Sequence, residues 1–224
     1  MSSVIFDIET LGFSLDFFDE VQREYLMKFA ETEEKRQAEI QKFALSALTG
    51  RIIAVAMINP DTMGGKVFFH SDSAEHYFSE DKKTEFISGS EKDILRNFWG
   101  TIQHYDQFIT FNGRGFDCPF VMLRSAIHEI RPTRNLVPYR YDPSVHCDLL
   151  DQLTFYGAIK KYNLDFYCKS FGIKSPKSEG ITGLDLAPLF DQKKYREIAQ
   201  YCLGDVIATA ELFKRWNSFL NIKG

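Results

Sequence analysis

Two carboxylates lie two residues apart in an otherwise apolar run, Val4-Ile5-Phe6-Asp7-Ile8-Glu9, and they are the first side chains in this sequence equipped for chemistry. Successive side chains on a strand point to opposite faces, so Asp7 and Glu9 project from the same side. Unpaired, they would repel each other, lose hydration on burial and leave one carboxyl protonated; a bound divalent cation removes both penalties. A D-x-E pair is weak by itself, and its setting inside a buried strand gives it weight. A second candidate is Asn112-Gly113-Arg114-Gly115-Phe116-Asp117, where the glycines let backbone approach closely to a ligand. Taken alone, Asp117 reads as a helix cap ahead of Cys118-Pro119. The third is Tyr201-Cys202-Leu203-Gly204-Asp205, whose phenol and carboxylate share one helical face at i and i+4. In isolation that pair reads as a structural hydrogen bond.

These residues need a scaffold to bring them together. Residues 3–9 have the β-branched and aromatic density of a buried strand. Leu15 to Leu48 contains no Gly or Pro, and Glu24/Lys28 and Glu31/Lys35 have the order that supports a solvated helix. The spacing predicts a long helix over this stretch, continuous or broken near Thr32, with a stop at Gly50; it projects as an arm or covers one face, and packing or dimerisation is favoured over guidance of a strand. Residues 51–58 and 66–70 read as two strands of a hairpin turned through Pro60, Gly64 and Gly65. Residues 71–90 read as loop or a short helix. A helix over 90–105 is capped by Ser90, a strand covers 108–111, and a further helix starts at Cys118 or Pro119. A loop over 131–141 carries Pro132 and Pro138, and a weak strand at 145–147 leads to helices over 149–156 and 164–171. Residues 172–183 read as a flexible loop and 193–220 as the last helix.

Composition narrows the class. Hydrophobic residues make up 44% and aromatics 15%, with 21 Phe, so a phenylalanine-rich packed α/β globule is expected rather than a disordered chain. Residues 1–224 read as one domain with a helical insertion at 15–49. The cysteines, Cys118, Cys147, Cys168 and Cys202, form no C-x-x-C pair, and only His146-Cys147 are adjacent, so reduced buried thiols are expected. No apolar run reaches the length of a membrane span, and Asp7 and Glu9 interrupt the N-terminal one, so a cytoplasmic location is expected. The net charge is −4, yet residues 112–180 carry ten Lys+Arg against seven Asp+Glu and the remainder seventeen against twenty-four. A local basic face beside an acidic pocket suits brief handling of a nucleic-acid end, and ordinary scatter of surface charge accounts for it equally well.

Together the three segments resemble the ordered motifs of the DEDD 3′-to-5′ exonucleases, in the tyrosine-bearing branch typified by the proofreading domain of B-type DNA polymerases. Phe6-Asp7-Ile8-Glu9-Thr10 is similar to the first motif, Asn112-x-x-x-Phe116-Asp117 to the second and Tyr201-x-x-x-Asp205 to the third. The resemblance implies a ribonuclease H-like fold, with a central mixed five-stranded sheet, one strand antiparallel, flanked by helices. The last helix must then pack beside the first strand. No polymerase module follows, so a stand-alone relative is expected.

The resemblance implies two divalent cations held by Asp7, Glu9, Asp117 and Asp205, and an all-carboxylate set suits Mg²⁺ or Mn²⁺ better than zinc. Tyr201 would orient the attacking water, and Thr10, Asn112 and Phe116 would hold the terminal nucleotides. The implied reaction releases nucleoside 5′-monophosphates from the 3′ end of single-stranded nucleic acid, with DNA favoured. Trimming of RNA ends and a catalytically silent domain that binds nucleic acid or protein are the alternatives. Lys160, Lys161, Lys169, Lys174 and Lys177 suit backbone phosphate or a solvated face alike. His146 and Asp148 read as structural.

Overall fold

A computed structural model describes residues 2–175 and 183–222. Its centre is a seven-stranded mixed sheet in the order β4-β5-β3-β2-β1-β6-β7. The strands are β1 (Ser3–Gly12), β2 (Gly50–Ile58), β3 (Gly65–His70), β4 (His76–Phe78), β5 (Thr84–Gly89), β6 (Gln107–Thr110) and β7 (His146–Asp148). β1, β6 and β7 run parallel, β2 pairs antiparallel with both β1 and β3, and β5 runs parallel to β3.

The side-chain period of β1 divides the core in two. Val4, Phe6 and Ile8 face a layer built from α3 (Glu91–Ile102) and α4 (Asp117–Ile127), where Phe6, Phe98 and Phe108 pack edge to face or tilted. Ile5, Asp7 and Glu9 face the opposite layer, formed largely by the long α8 (Tyr195–Phe219). α8 presents Ile198, Ala199, Cys202, Leu203, Val206 and Ala210 to the sheet at helical spacing. β6 pairs with β1 only through Ser3, Val4 and Ile5, so the second half of β1 has one edge without a strand partner. A register shift between Glu9 and Thr10 further distorts that half.

The sheet corrects the expected five strands. Residues 71–90 add β4 and β5 instead of forming loop or helix. This outer edge carries polar residues, with Glu85 paired to Lys66 of β3 and hydrogen-bonded to His76, which dilute the apolar signal of a strand. Phe86 nonetheless is fully buried and Tyr77 stacks on it at 4.7 Å.

Residues 15–49 are helical but broken. α1 (Glu20–Met27) and α2 (Glu33–Gln41) are separated at Thr32, whose hydroxyl caps α2 by accepting from the Lys35 N–H. Glu31 and Lys35 approach to 3.7 Å. Ser90 caps α3 in a reciprocal box with Asp93. α5 (Leu149–Leu153), α6 (Leu164–Ser170) and α7 (Leu186–Asp191) complete the described helices; the flexible-loop expectation for 172–183 falls largely on 176–182, and Lys177 with it, outside the described residues.

A buried ion cluster fixes the far side. Glu91 receives Arg124 in two hydrogen bonds of 2.8 and 2.6 Å, His128 at 2.8 Å and the Ile52 N–H at 2.8 Å, while Arg124 also donates to the Ala47 carbonyl. One carboxylate thus joins α3, α4 and β2, and through Arg124 the segment at Ala47. All four cysteines are buried and free. Among the described residues no helix is long and apolar enough to cross a membrane.

Candidate active site

The parallel strands β1, β6 and β7 end on one side of the sheet, where loops leave the strands and a crevice opens. Asp7 reaches it from β1, with Glu9 buried beside it, Phe111 and Asn112 from the loop after β6, and Tyr201 and Asp205 from α8. The cleft has a volume of about 280 Å³. Asp7, Tyr201 and Asp205 form one wall, Phe111 and Asn112 a second, and Leu150, Tyr162, Asn163, Leu164 and Asp165 the third.

The acidic groups act on one another. Burial pushes the Asp7 carboxyl well above the ordinary range, and the charges of Asp117, Asp205 and Glu9 push it further. Glu9, almost fully buried, is raised by burial and then by Asp205 and Asp117. Asp117 is pushed up to about 7 by burial, against hydrogen bonds from its own N–H and that of Ile8, with Asp148 and Asp205 adding to the rise. No Lys or Arg forms an ion pair with Asp7, Glu9 or Asp117 among the described residues. Such a concentration of like charge is what a bound cation relieves.

Asp117 is the first residue of α4, not its cap, and its Oδ1 accepts from the Ile8 N–H at 3.0 Å. It thereby fills the edge of β1 that β6 leaves open, between the two carboxylates of the strand. Cys202, which the sequence reading treated only as a buried thiol, lies on the floor of the cluster. Its Sγ and one oxygen each of Asp7 and Glu9 fall within 4.8 Å of one another, and the thiol donates to the Asp7 carbonyl at 3.6 Å. Burial, then the charges of Glu9, Asp7 and Asp205, raises its pKa in the metal-free protein. Tyr201 is likewise raised by burial and then by Asp205, Glu9 and Asp7, which keeps it a phenol.

The second motif is held by a residue that the sequence marked as structural. Asp148 accepts from the Asn112 N–H at 3.0 Å and the Arg114 N–H at 2.9 Å, and from the N–H groups of Leu150 and Asp151 at 3.0 and 3.4 Å. The loop between them is tight. Asn112 has φ +62°, and a Cβ at Gly113 would collide with the Thr110 side chain at 2.5 Å. These glycines serve close packing of the loop on itself. His146 is buried, hydrogen-bonded to Thr110 at 2.9 Å and stacked on Phe108, and burial lowers it to about 3.

The structure brings Asp7, Glu9, Asp117, Tyr201 and Asp205 to one locus, with Asn112 on the cleft wall. Thr10 and Phe116 lie outside that wall. The Thr10 hydroxyl donates to the Ala44 carbonyl at 2.7 Å, tying β1 to the segment before β2, and Phe116 lines a separate groove with Leu45, Ala47 and Phe120. Lys169 pairs with Asp165 at 2.9 Å.

Three comparisons bear on this arrangement. Residues 44–221 match the family described as predicted 3′-5′ exonuclease related to the exonuclease domain of PolB. The matched span contains Asp117, Tyr201 and Asp205 and begins beyond Asp7 and Glu9. DNA polymerase 1 of Sulfurisphaera ohwakuensis is 28% identical over 119 residues, which are 46% of this chain and 13% of the polymerase. The family B DNA polymerase of the hyperthermophilic archaeon Pyrobaculum calidifontis superposes with a TM-score of 0.62 at 18% identity, over 98% of this chain and 25% of the polymerase. The last likeness gives the fold, ribonuclease H-like. The chain spans well under two thirds of either relative.

Proposed function

We propose a function from membership, for this chain belongs to the family of predicted 3′-5′ exonucleases related to the exonuclease domain of PolB. The activity is metal-dependent removal of nucleoside 5′-monophosphates from the 3′ end of single-stranded DNA. One observation carries the reading: Asp7 and Asp205 line an open cleft, and Asp205, Asp117 and Glu9 lie close enough to Asp7 for their charges to raise its pKa. DNA is chosen over RNA because both relatives are DNA polymerases. We read residues 1–224 as one such unit, with 15–49 as its insertion.

The donor set fits hard divalent cations. Asp7, Glu9 and Asp205 would hold one and Asp7 and Asp117 the other, with Asp117 fixed in place by the Ile8 N–H at its Oδ1. Bound there, Mg²⁺ or Mn²⁺ supplies an activated water and stabilises charge on the departing 3′ oxygen. Tyr201, kept as a phenol, orients the attacking water by hydrogen bonding rather than removing its proton. Asn112, on the cleft wall, positions the terminal nucleotide. Thr10 and Phe116 support the reading less directly: Thr10 holds the insertion against β1, and Phe116 lines the neighbouring groove.

The test is incubation of 3′-labelled and 5′-labelled single-stranded DNA and RNA with the protein in Mn²⁺, Mg²⁺ or EDTA, beside Asp7→Asn. Release of mononucleotides from DNA 3′ ends, absent in EDTA and in the variant, is expected. Equal activity in EDTA, or internal cuts alone, would overturn the proposal, and preference for RNA would overturn its substrate.

A further inference from the structure

The third wall of the cleft continues into an aromatic rim with no counterpart in the chemistry above. Tyr162, part of that wall, stacks on Phe166 at 4.2 Å, with the Lys160 ammonium 5.0 Å from its ring. From Leu150, also in the wall, α5 leads to Phe155, Tyr156 and Gly157, which adopt φ of +50°, +58° and +91° in succession. Two consecutive aromatic residues in the left-handed region are strained, since their Cβ atoms crowd the following carbonyl. The turn holds them there: the Tyr156 N–H donates to the Asp151 carbonyl at 2.6 Å, and the Gly157 N–H to the Thr154 carbonyl at 3.1 Å.

What the strain achieves is display. Phe155 is 61% exposed, and the Tyr156 ring sits 4.8 Å from Tyr141, which in turn lies 5.6 Å from Tyr139. Tyr139 and Tyr141 are 72% and 56% exposed. Their loop is fixed on two sides. Arg114 of the second motif donates to the Pro138 carbonyl at 2.9 Å, and Arg140 makes two hydrogen bonds of 2.9 and 2.6 Å to Asp151.

The surroundings favour a polyanion. Residues 131–162 carry five basic side chains, Arg131, Arg134, Arg140, Lys160 and Lys161, against Asp142, Asp148 and Asp151. Asp148 and Asp151 are buried, which leaves Asp142 as the acid at the surface. Exposed rings, positive side chains at Lys160 and Lys161 with no ion pair among the described residues, and a chain connection through α5 to Leu150 of the cleft wall together describe a stacking surface for unpaired bases. We infer that the rim formed by Tyr139, Tyr141, Phe155 and Tyr156 binds the single strand upstream of its terminal nucleotide, by stacking on the bases without reading their sequence. The inference rests on the reading of the cleft as the site of the 3′ end.

The test uses the full chain with Tyr139→Ala/Tyr141→Ala and with Tyr139→Phe/Tyr141→Phe, substitutions at exposed positions outside the carboxylate site. Fluorescence anisotropy in EDTA measures binding of a labelled thymidine strand roughly fifteen nucleotides long, and a thymidine trinucleotide serves as substrate in Mn²⁺. The alanine pair should weaken binding of the long strand about tenfold or more, the phenylalanine pair should restore it, and trinucleotide hydrolysis should stay unchanged. Unaltered affinity in the alanine pair would overturn the inference. An equal loss on the trinucleotide, or failure of phenylalanine to restore binding, would also overturn it. Absence of trinucleotide hydrolysis by the unsubstituted chain would sink the nuclease reading instead, and the binding comparison does not depend on it.

Discussion

Two clusters of buried acid groups sit on opposite layers of the same sheet. Burial pushes Glu91 upward, yet Arg124, the Ile52 N–H and His128 outweigh it and hold the carboxyl below the usual range. For Asp7 and Glu9 burial acts in the same direction as their neighbours, and the carboxyls stay high. The first cluster is complete within the protein. In the second, burial raises Asp7 and Glu9 with no Lys or Arg paired to either among the described residues, an arrangement that costs stability and that a bound cation would relieve.

The sharpest way to break that contrast is to remove one charge from each cluster. Asp7→Asn should lower mononucleotide release about ten-thousandfold, roughly 5 kcal/mol of transition-state stabilisation, while the melting temperature in EDTA stays level or rises. Arg124→Ala should do the reverse. Breaking a buried pair costs roughly 3–5 kcal/mol, read as a lower urea midpoint, and the protein still folded at low temperature should retain its turnover. Loss of turnover without loss of stability would show that the two layers are not independent.

Smaller effects sharpen the distinction. Tyr201→Phe keeps the ring and removes the hydroxyl, so activity should fall about ten- to a hundredfold with no change in melting. Titration of stability in EDTA should show opposite signs. The raised carboxyls favour the protonated fold: their contribution is present below the ordinary carboxylate range and is lost as pH rises through about 7, the value for Asp117. Glu91 contributes above that ordinary range and loses its contribution as pH falls below it. The metal-free protein should therefore melt a few degrees higher in mildly acidic buffer than in mildly alkaline buffer, and Mn²⁺ should close the gap. A melting temperature that rises through neutrality in EDTA would contradict the assigned signs.

The acidic residues were legible because their spacing is locked to geometry. Asp7 and Glu9 share a face at the strand period, and Tyr201 and Asp205 share one at the helix period, so residue type and interval sufficed. Their convergence is tertiary, and the family resemblance rather than the local pattern pointed to it. β4 and β5 escaped notice because an edge covered on one face needs few apolar residues, and Phe86 alone is a thin signal. Thr10 lies next to the register shift after Glu9, which a simple alternation of faces does not foresee. Asp148 looked like one more structural acid, and nothing local reveals that it collects four backbone N–H groups from two elements. The break at Thr32 was visible because a hydroxyl ahead of Glu33-Glu34 is a capping signature.

The bond from the Ile8 N–H to Asp117 makes position 117 a poor place to count ligands. Alanine there would release the main chain midway between residues 7 and 9 and disturb two further carboxylates, so its phenotype would sum a lost donor and a slackened strand. Asparagine, whose amide oxygen can still accept that proton, removes the charge while leaving the clamp in place, and the difference between the two replacements isolates the mechanical share.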